Sequence, residues 1–126
     1  MLGLAEAQFA TKAYTDSIDT LDLLREKNPH YTSAAGHLIY ARALEFNNKT
    51  EDAIHEYEAL IKYYTGAEAN FRYARLLEAT DQQKALSIYN DILNTADIAP
   101  EHYRQAQKVW LQKAKKGITR VTAKIN

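Results

Sequence analysis

Apolar residues return every three or four positions along most of the chain, the spacing that keeps one face of an α-helix buried. Seven stripes follow one another. The first covers about residues 2–12, with Leu2, Leu4, Ala5, Phe9 and Ala13. The second runs from about 15 to 27 with Ile18, Leu21 and Leu24 inward, and stops before Asn28-Pro29, because the residue ahead of a proline avoids helical geometry. A third, about 31–47, carries Leu38, Ala41, Leu44 and Phe46 and ends at Asn47-Asn48. Thr50 is expected to cap a fourth, about 51–64, whose stripe is Ala53, Ile54, Tyr57, Leu60 and Ile61. Thr65-Gly66 breaks the chain before a fifth, about 67–79, built on Phe71, Ala74 and Leu77. Thr80 with Gln83 three residues on has the form of a capping box and opens a sixth, to about 95. Pro100 suits a first helical position for a seventh, which Gly117 is expected to terminate. Residues 118–126 then form a frayed, basic tail. No run of five residues alternates as a strand would. Connections of two to four residues require neighbouring helices to pack antiparallel.

A second pattern lies on top of the stripes. Tyr14-Thr-Asp-Ser-Ile-Asp-Thr-Leu, Thr50-Glu-Asp-Ala-Ile-His-Glu-Tyr and Gln82-Gln-Lys-Ala-Leu-Ser-Ile-Tyr share one plan. A small residue (Ser17, Ala53, Ala85) is followed by an aliphatic one, with a bulky residue four positions on (Leu21, Tyr57, Tyr89). The preceding helices hold their own small residues at Ala5, Ala41 and Ala74, each followed three places later by Gln8, Leu44 or Leu77. Ordinary bundle periodicity gives apolar stripes, but not small residues in the same two slots three times. The third copy lacks one residue in the Thr80–Gln82 turn, and the second has an insertion around residues 31–35.

This block resembles the tetratricopeptide repeat. Its anchors lie 36 and 32 residues apart, on either side of that family's 34. The resemblance covers residues 2–98, and the inter-repeat proline is present once, as Pro29. It implies an all-α, right-handed helical solenoid: repeats at about 1–30, 31–65 and 66–98 and a capping helix at 100–117, seven helices in all, then the tail at 118–126. It also implies a non-catalytic module that holds a peptide or a partner helix in a concave groove lined by first helices. The groove positions it assigns are Glu6, Phe9, Arg42, Glu45, Arg75 and Glu78, with Leu2, Leu38 and Phe71 one turn earlier. Arg42 and Arg75 would grip carboxylates or carbonyls while Leu38 and Phe71 anchor apolar groups. Both Arg/Glu pairs stand three apart and can also neutralise each other as a solvated face. Clamping of chaperone tails is not expected, because Leu2, Glu6, Ile39 and Glu68 stand where Lys and Asn are needed and only Arg72 fits.

The stretch from Tyr57 to Ala69, with Arg72-Tyr-Ala-Arg-Leu-Leu and Ala99-Pro-Glu-His-Tyr-Arg after it, is similar to the C-terminal part of bacterial repeat proteins that carry an N-terminal membrane anchor. That likeness implies a fragment of a longer array, located in the cytoplasm or on the cytoplasmic side of the inner membrane. It also offers an alternative function: a self-associating segment of a tethered assembly, pairing copies through an open N-terminal face of Leu2, Leu4 and Phe9.

Composition narrows the chemistry. The chain has no cysteine, so disulfides and thiolate metal sites are excluded. No apolar run nears the ~20 residues of a membrane span. His30, His37, His55 and His102 show no metal-ligand spacing, and neither a phosphate loop nor a nucleophile elbow is present. We expect no cofactor, no metal and no enzyme activity. Net charge is zero, yet residues 101–126 hold seven Lys/Arg against one Asp/Glu. That basic end reads as the solubilising surface of a cap rather than a nucleic-acid site, because residues 31–98 are mildly acidic. Tyr40, Tyr57, Tyr73 and Tyr89 fall on or near the stripes, so core packing with hydroxyls at the rim is expected rather than base stacking. Tyr103, Ala106, Trp110 and Ala114 form the apolar stripe of the seventh helix, which would close the last repeat.

Overall fold

The stripes become helices in the computed structural model, which describes residues 2–29 and 33–125. The described residues form eight α-helices and no strand: α1 (Leu2–Ala10), α2 (Tyr14–Lys27), α3 (Ala34–Phe46), α4 (Thr50–Leu60), α5 (Glu68–Leu77), α6 (Gln82–Ile98), α7 (Glu101–Ala106) and α8 (Lys108–Ile125). They fall into two units, Met1–Tyr63 and Tyr64–Asn126.

In the first unit α1 packs on α2, α2 on α3, and α3 on both α4 and α1. Ala5 and Ser17 meet where α1 and α2 approach; both of them, Ala41 of α3 and Ala53 of α4 are fully buried. Ser17 Oγ donates to the Ala5 carbonyl at 2.9 Å, which satisfies the one polar atom in this slot. In the second unit α5 packs on α6, and α8 lies against both. Ala74 and Ala85 are again fully buried. All six small positions are thus fully buried within their helix hairpins.

A second set of bonds tracks the same register. Thr20 donates to Gln8 at 2.7 Å, Tyr57 to Glu45 at 2.6 Å, and Tyr89 to Glu78 at 2.5 Å. The sequence offsets are 12, 12 and 11 residues. The shorter offset follows from the shorter third turn. Lys12 and Asn48, each seven residues after the small residue of its first helix, take left-handed backbone (φ 65° and 62°). Asparagine tolerates that region better than lysine. In the third hairpin the seventh position is Asp81, which already caps α6, so the left-handed residue is the one omitted.

Several boundaries differ from the sequence reading. Lys49 rather than Thr50 precedes α4, and Thr50 is its first residue. Asp81, not Thr80, caps α6 by accepting from the Lys84 N–H at 3.1 Å. Ser33 caps α3 through the Gly36 N–H, and α3 begins at Ala34; Tyr31 and the start expected there lie outside the described residues, as does His30. The expected seventh helix is two, broken at Gln107, whose side chain accepts from the Ala67 N–H at 2.8 Å. Eight helices therefore replace seven, and the stripe Tyr103–Ala114 is divided between α7 and α8.

Gly117 does not end the last helix. It lies inside α8, which runs on to Ile125 with Val121 fully buried. A Cβ at Gly117 would sit 2.5 Å from Tyr89 Cζ and 2.6 Å from Cε2. The glycine marks a close helix approach instead of a stop. Residues 118–125 are helix rather than frayed tail.

Candidate protein-binding faces

On the first-helix face of the first unit, Glu6 is exposed and Leu38 is half-buried. Phe9 is half-buried and forms an aromatic cluster with Tyr14 and Phe46, ring centroids 5.4–5.8 Å apart. Arg42 lies over this cluster, its guanidinium 4.6 Å from the Phe9 ring centre. The negative ring face attracts the cation placed over it. Glu45 accepts from Tyr57. Of the three residues expected to form an open N-terminal face, Leu4 is 56 % exposed. Leu2 reaches to 3.3 Å from where a Gly36 Cβ would stand, and Phe9 is in its cluster.

In the second unit Phe71 packs against Tyr89 and Trp110, with centroids 5.8 and 5.9 Å away. Arg72 pairs with Glu68 at 2.8 Å and stands over Trp110, and Lys113 approaches the same indole. Trp110 therefore belongs to the packing of α8 on α5. Arg75 is half exposed and pairs with Glu78 at 3.1 Å. Glu78 itself is only 3 % exposed. It accepts from Arg120 at 2.8 and 2.6 Å as well as from Tyr89. Burial alone would raise the Glu78 carboxyl. The bonds from Arg120 and Tyr89 and the charges of Arg120 and Arg75 outweigh it and hold the pKa down to about 2. Burial and the Glu78 bond push the Tyr89 phenol up. Glu78 is thus the hub that ties α5, α6 and α8 together.

The sequence reading did not anticipate a cleft of about 460 Å³ within the first unit, lined by Leu21, Leu24 and Arg25 of α2, Gly36, His37 and Tyr40 of α3, and Ser33 and Tyr63. His37 Nε2 lies 2.6 Å from Glu56, and its Nδ1 pairs with the Tyr63 hydroxyl. Arg25 reaches the same Glu56 oxygen at 3.3 Å and covers the Tyr40 ring at 4.4 Å. Tyr40 donates to Asp22 at 2.8 Å. Burial would raise the Glu56 carboxyl, but the His37 and Arg25 bonds outweigh it and lower its pKa. Burial and the Asp22 bond raise the Tyr40 phenol. Among the described residues no group of three His, Cys, Asp or Glu could hold a metal, and no helix is long and apolar enough to cross a membrane.

The arrangement of helices has a counterpart among solved structures. PcrH, solved in complex with the chaperone binding region of PopD, superposes with a TM-score of 0.80 over 98 % of this chain and 90 % of that one, at 17 % identity. The fold is a tetratricopeptide-type helical repeat. No family model matches the chain. No curated protein matches it either.

In that repeat fold the sequence located the first-helix positions but not what they do. It read Glu45 and Glu78 as groove-facing; both bind the tyrosine of their own hairpin. It read Leu38 and Phe71 as apolar residues needing a partner; both are half-buried. The cleft escaped because its parts are far apart in sequence. His37 and Glu56 are 19 residues apart and His37 and Tyr63 are 26 apart, with no local motif joining them. The available signal was only the fall of Tyr40 and His37 on the same flank of one stripe.

Proposed function

We propose that this chain is a non-catalytic, protein-binding helical-repeat module. The observation that carries the reading is the fold-level likeness to PcrH, a protein solved with a segment of another protein bound to it. The six buried small residues support it too, because they fix helix hairpins and present side chains without supplying any reactive group. A peptide or partner helix would dock on first-helix faces: Leu38 and Arg42 on α3, with Glu6 and Phe9 on α1, and Phe71 and Arg75 on α5. Arg75, half exposed beside a carboxylate buried for other reasons, is the better placed guanidinium to exchange its surface pair for a partner's carboxylate. Arg42, placed over the Phe9 ring, is the second guanidinium proposed.

A peptide array probed with the wild-type protein and with the Arg42→Glu/Arg75→Glu variant tests the assignment. The expected result is a set of peptides that bind the wild type and lose at least tenfold in signal with the variant. Equal binding by the variant would remove these faces from consideration, and an empty array would count against the module itself.

A further inference from the structure

The cleft between α2 and α3 has a property that selects its occupant. Each polar side chain in its lining already has a partner. Arg25 is paired with Glu56, and Ser33 Oγ accepts from the Gly36 N–H. His37 is held between Glu56 and Tyr63, and Tyr40 donates to Asp22. Both ring nitrogens of His37 are thereby engaged, Nε2 by Glu56 and Nδ1 by Tyr63. A polar ligand group entering here would lose its water and compete for side chains that are already engaged. What remains for recognition is the apolar surface of Leu21 and Leu24, the bare backbone at Gly36, and the faces of the two tyrosines.

The charge around the cleft is as one-sided as its lining is apolar. Residues 1–63 hold ten Asp/Glu against six Lys/Arg. Two of those carboxylates, Asp22 and Glu56, bond directly to lining residues. On α2, Asp19, Asp22 and Glu26 stand exposed along the flank next to Leu21 and Arg25, three and four residues apart. Arg25 is the cation at the edge, and Glu56 and the Tyr40 ring already engage it.

We infer that this cleft is a second docking site, which receives one aliphatic side chain of a partner segment whose flanking residues are Lys or Arg. The apolar walls take the side chain, and the α2 acids with Glu56 attract the basic flanks. The inference rests on the reading of the chain as a protein-binding module, but not on the α3 and α5 faces assigned above. Those faces carry the residues changed in the Arg42→Glu/Arg75→Glu variant; the cleft carries none of them.

The test is a ¹⁵N-amide chemical-shift titration of the full chain with three synthetic pentapeptides: one leucine between paired lysines, the same with alanine for leucine, and the same with glutamates for lysines. The leucine–lysine peptide should shift the amides of Leu24, Gly36 and Tyr40 saturably, with the other two at least tenfold weaker. Leu24→Trp, which fills the cleft, should abolish the leucine-dependent shifts, while Arg42→Glu/Arg75→Glu should leave them unchanged. If Leu24→Trp fails to fold, the exposed pair Asp19→Lys/Glu26→Lys decides, with an expected weakening of tenfold or more at low salt. Equal binding of the leucine and alanine peptides would overturn the inference. So would a glutamate peptide that binds as well as the lysine one. Shifts at Leu24, Gly36 and Tyr40 that instead grow with protein concentration alone would assign the cleft to a second copy of the chain and overturn it too. Array hits that the Arg42→Glu/Arg75→Glu variant binds as well as the wild type, with this titration as expected, would refute the α3 and α5 assignment alone.

Discussion

At the scale of single residues, Glu78 ties side chains of three helices together. It is an almost fully buried carboxylate with Arg120, Arg75 and Tyr89 around it, and removing one member of such a set strands the others. Its folded pKa, about 2, lies below the 4.5 of an unperturbed glutamate. A depressed carboxylate stabilises the fold above its unfolded pKa, and that contribution fades as pH falls from about 4.5 toward 2. The shift corresponds to a contribution on the order of 3 kcal/mol at neutral pH. Glu78→Gln should therefore lower stability in urea melts by roughly 2–4 kcal/mol at pH 7. The gap from wild type should shrink markedly by pH 3. A gap of the same size at both pH values would mean that the ionised carboxylate is not what stabilises the hairpin. Glu45 accepts from Tyr57 in the first unit as Glu78 does from Tyr89 in the second, and the bonds from Arg120 to Glu78 come with the α8 contact.

At the scale of elements, the helices and their close contacts were legible because they depend on local periodicity and on residue size. Ser17, Ala53 and Ala85 could be picked out from the repeated block, Ala5, Ala41 and Ala74 from the family resemblance that it carries, and all are buried. The end of the chain was not legible, because glycine has two meanings that sequence does not separate. It can release the backbone at a helix end, or it can admit a neighbour inside a helix. At Gly117 the neighbour is the Tyr89 ring, a partner 28 residues earlier. The break at Gln107 was hidden for the same reason, since its side chain bonds the Ala67 backbone, 40 residues away. Gly117→Ala separates the two meanings. Helix propensity alone would make it stabilising by up to ~1 kcal/mol. With the Cβ driven into a fully buried tyrosine, it should instead cost about 1–3 kcal/mol and lower Tm by several degrees in a thermal melt. A Tm that rises would show that α8 does not approach α6 this closely.

At the scale of the whole molecule, a net charge of zero conceals two opposite halves. Residues 64–126 hold ten Lys/Arg against six Asp/Glu, the reverse of the first sixty-three. Averages over the chain therefore say little about what either unit attracts. Fold class was legible from the repeated block, since that block is a statement about helix pairing. The candidate sites were legible only in part. Positions on α1, α3 and α5 follow from register, whereas their partners come from elements far away in sequence, such as Trp110 over Phe71 and Tyr57 under Glu45. The central claim is that the repeat holds another chain through these faces. Calorimetric titration of the wild-type protein and the Arg42→Glu/Arg75→Glu variant with the strongest array peptide tests it most directly. The expected result is a saturable heat with a negative heat-capacity change for the wild type, as burial of apolar surface requires, and at least tenfold weaker binding by an equally folded variant. No saturable heat with the wild type, or equal affinity for the variant, would contradict it.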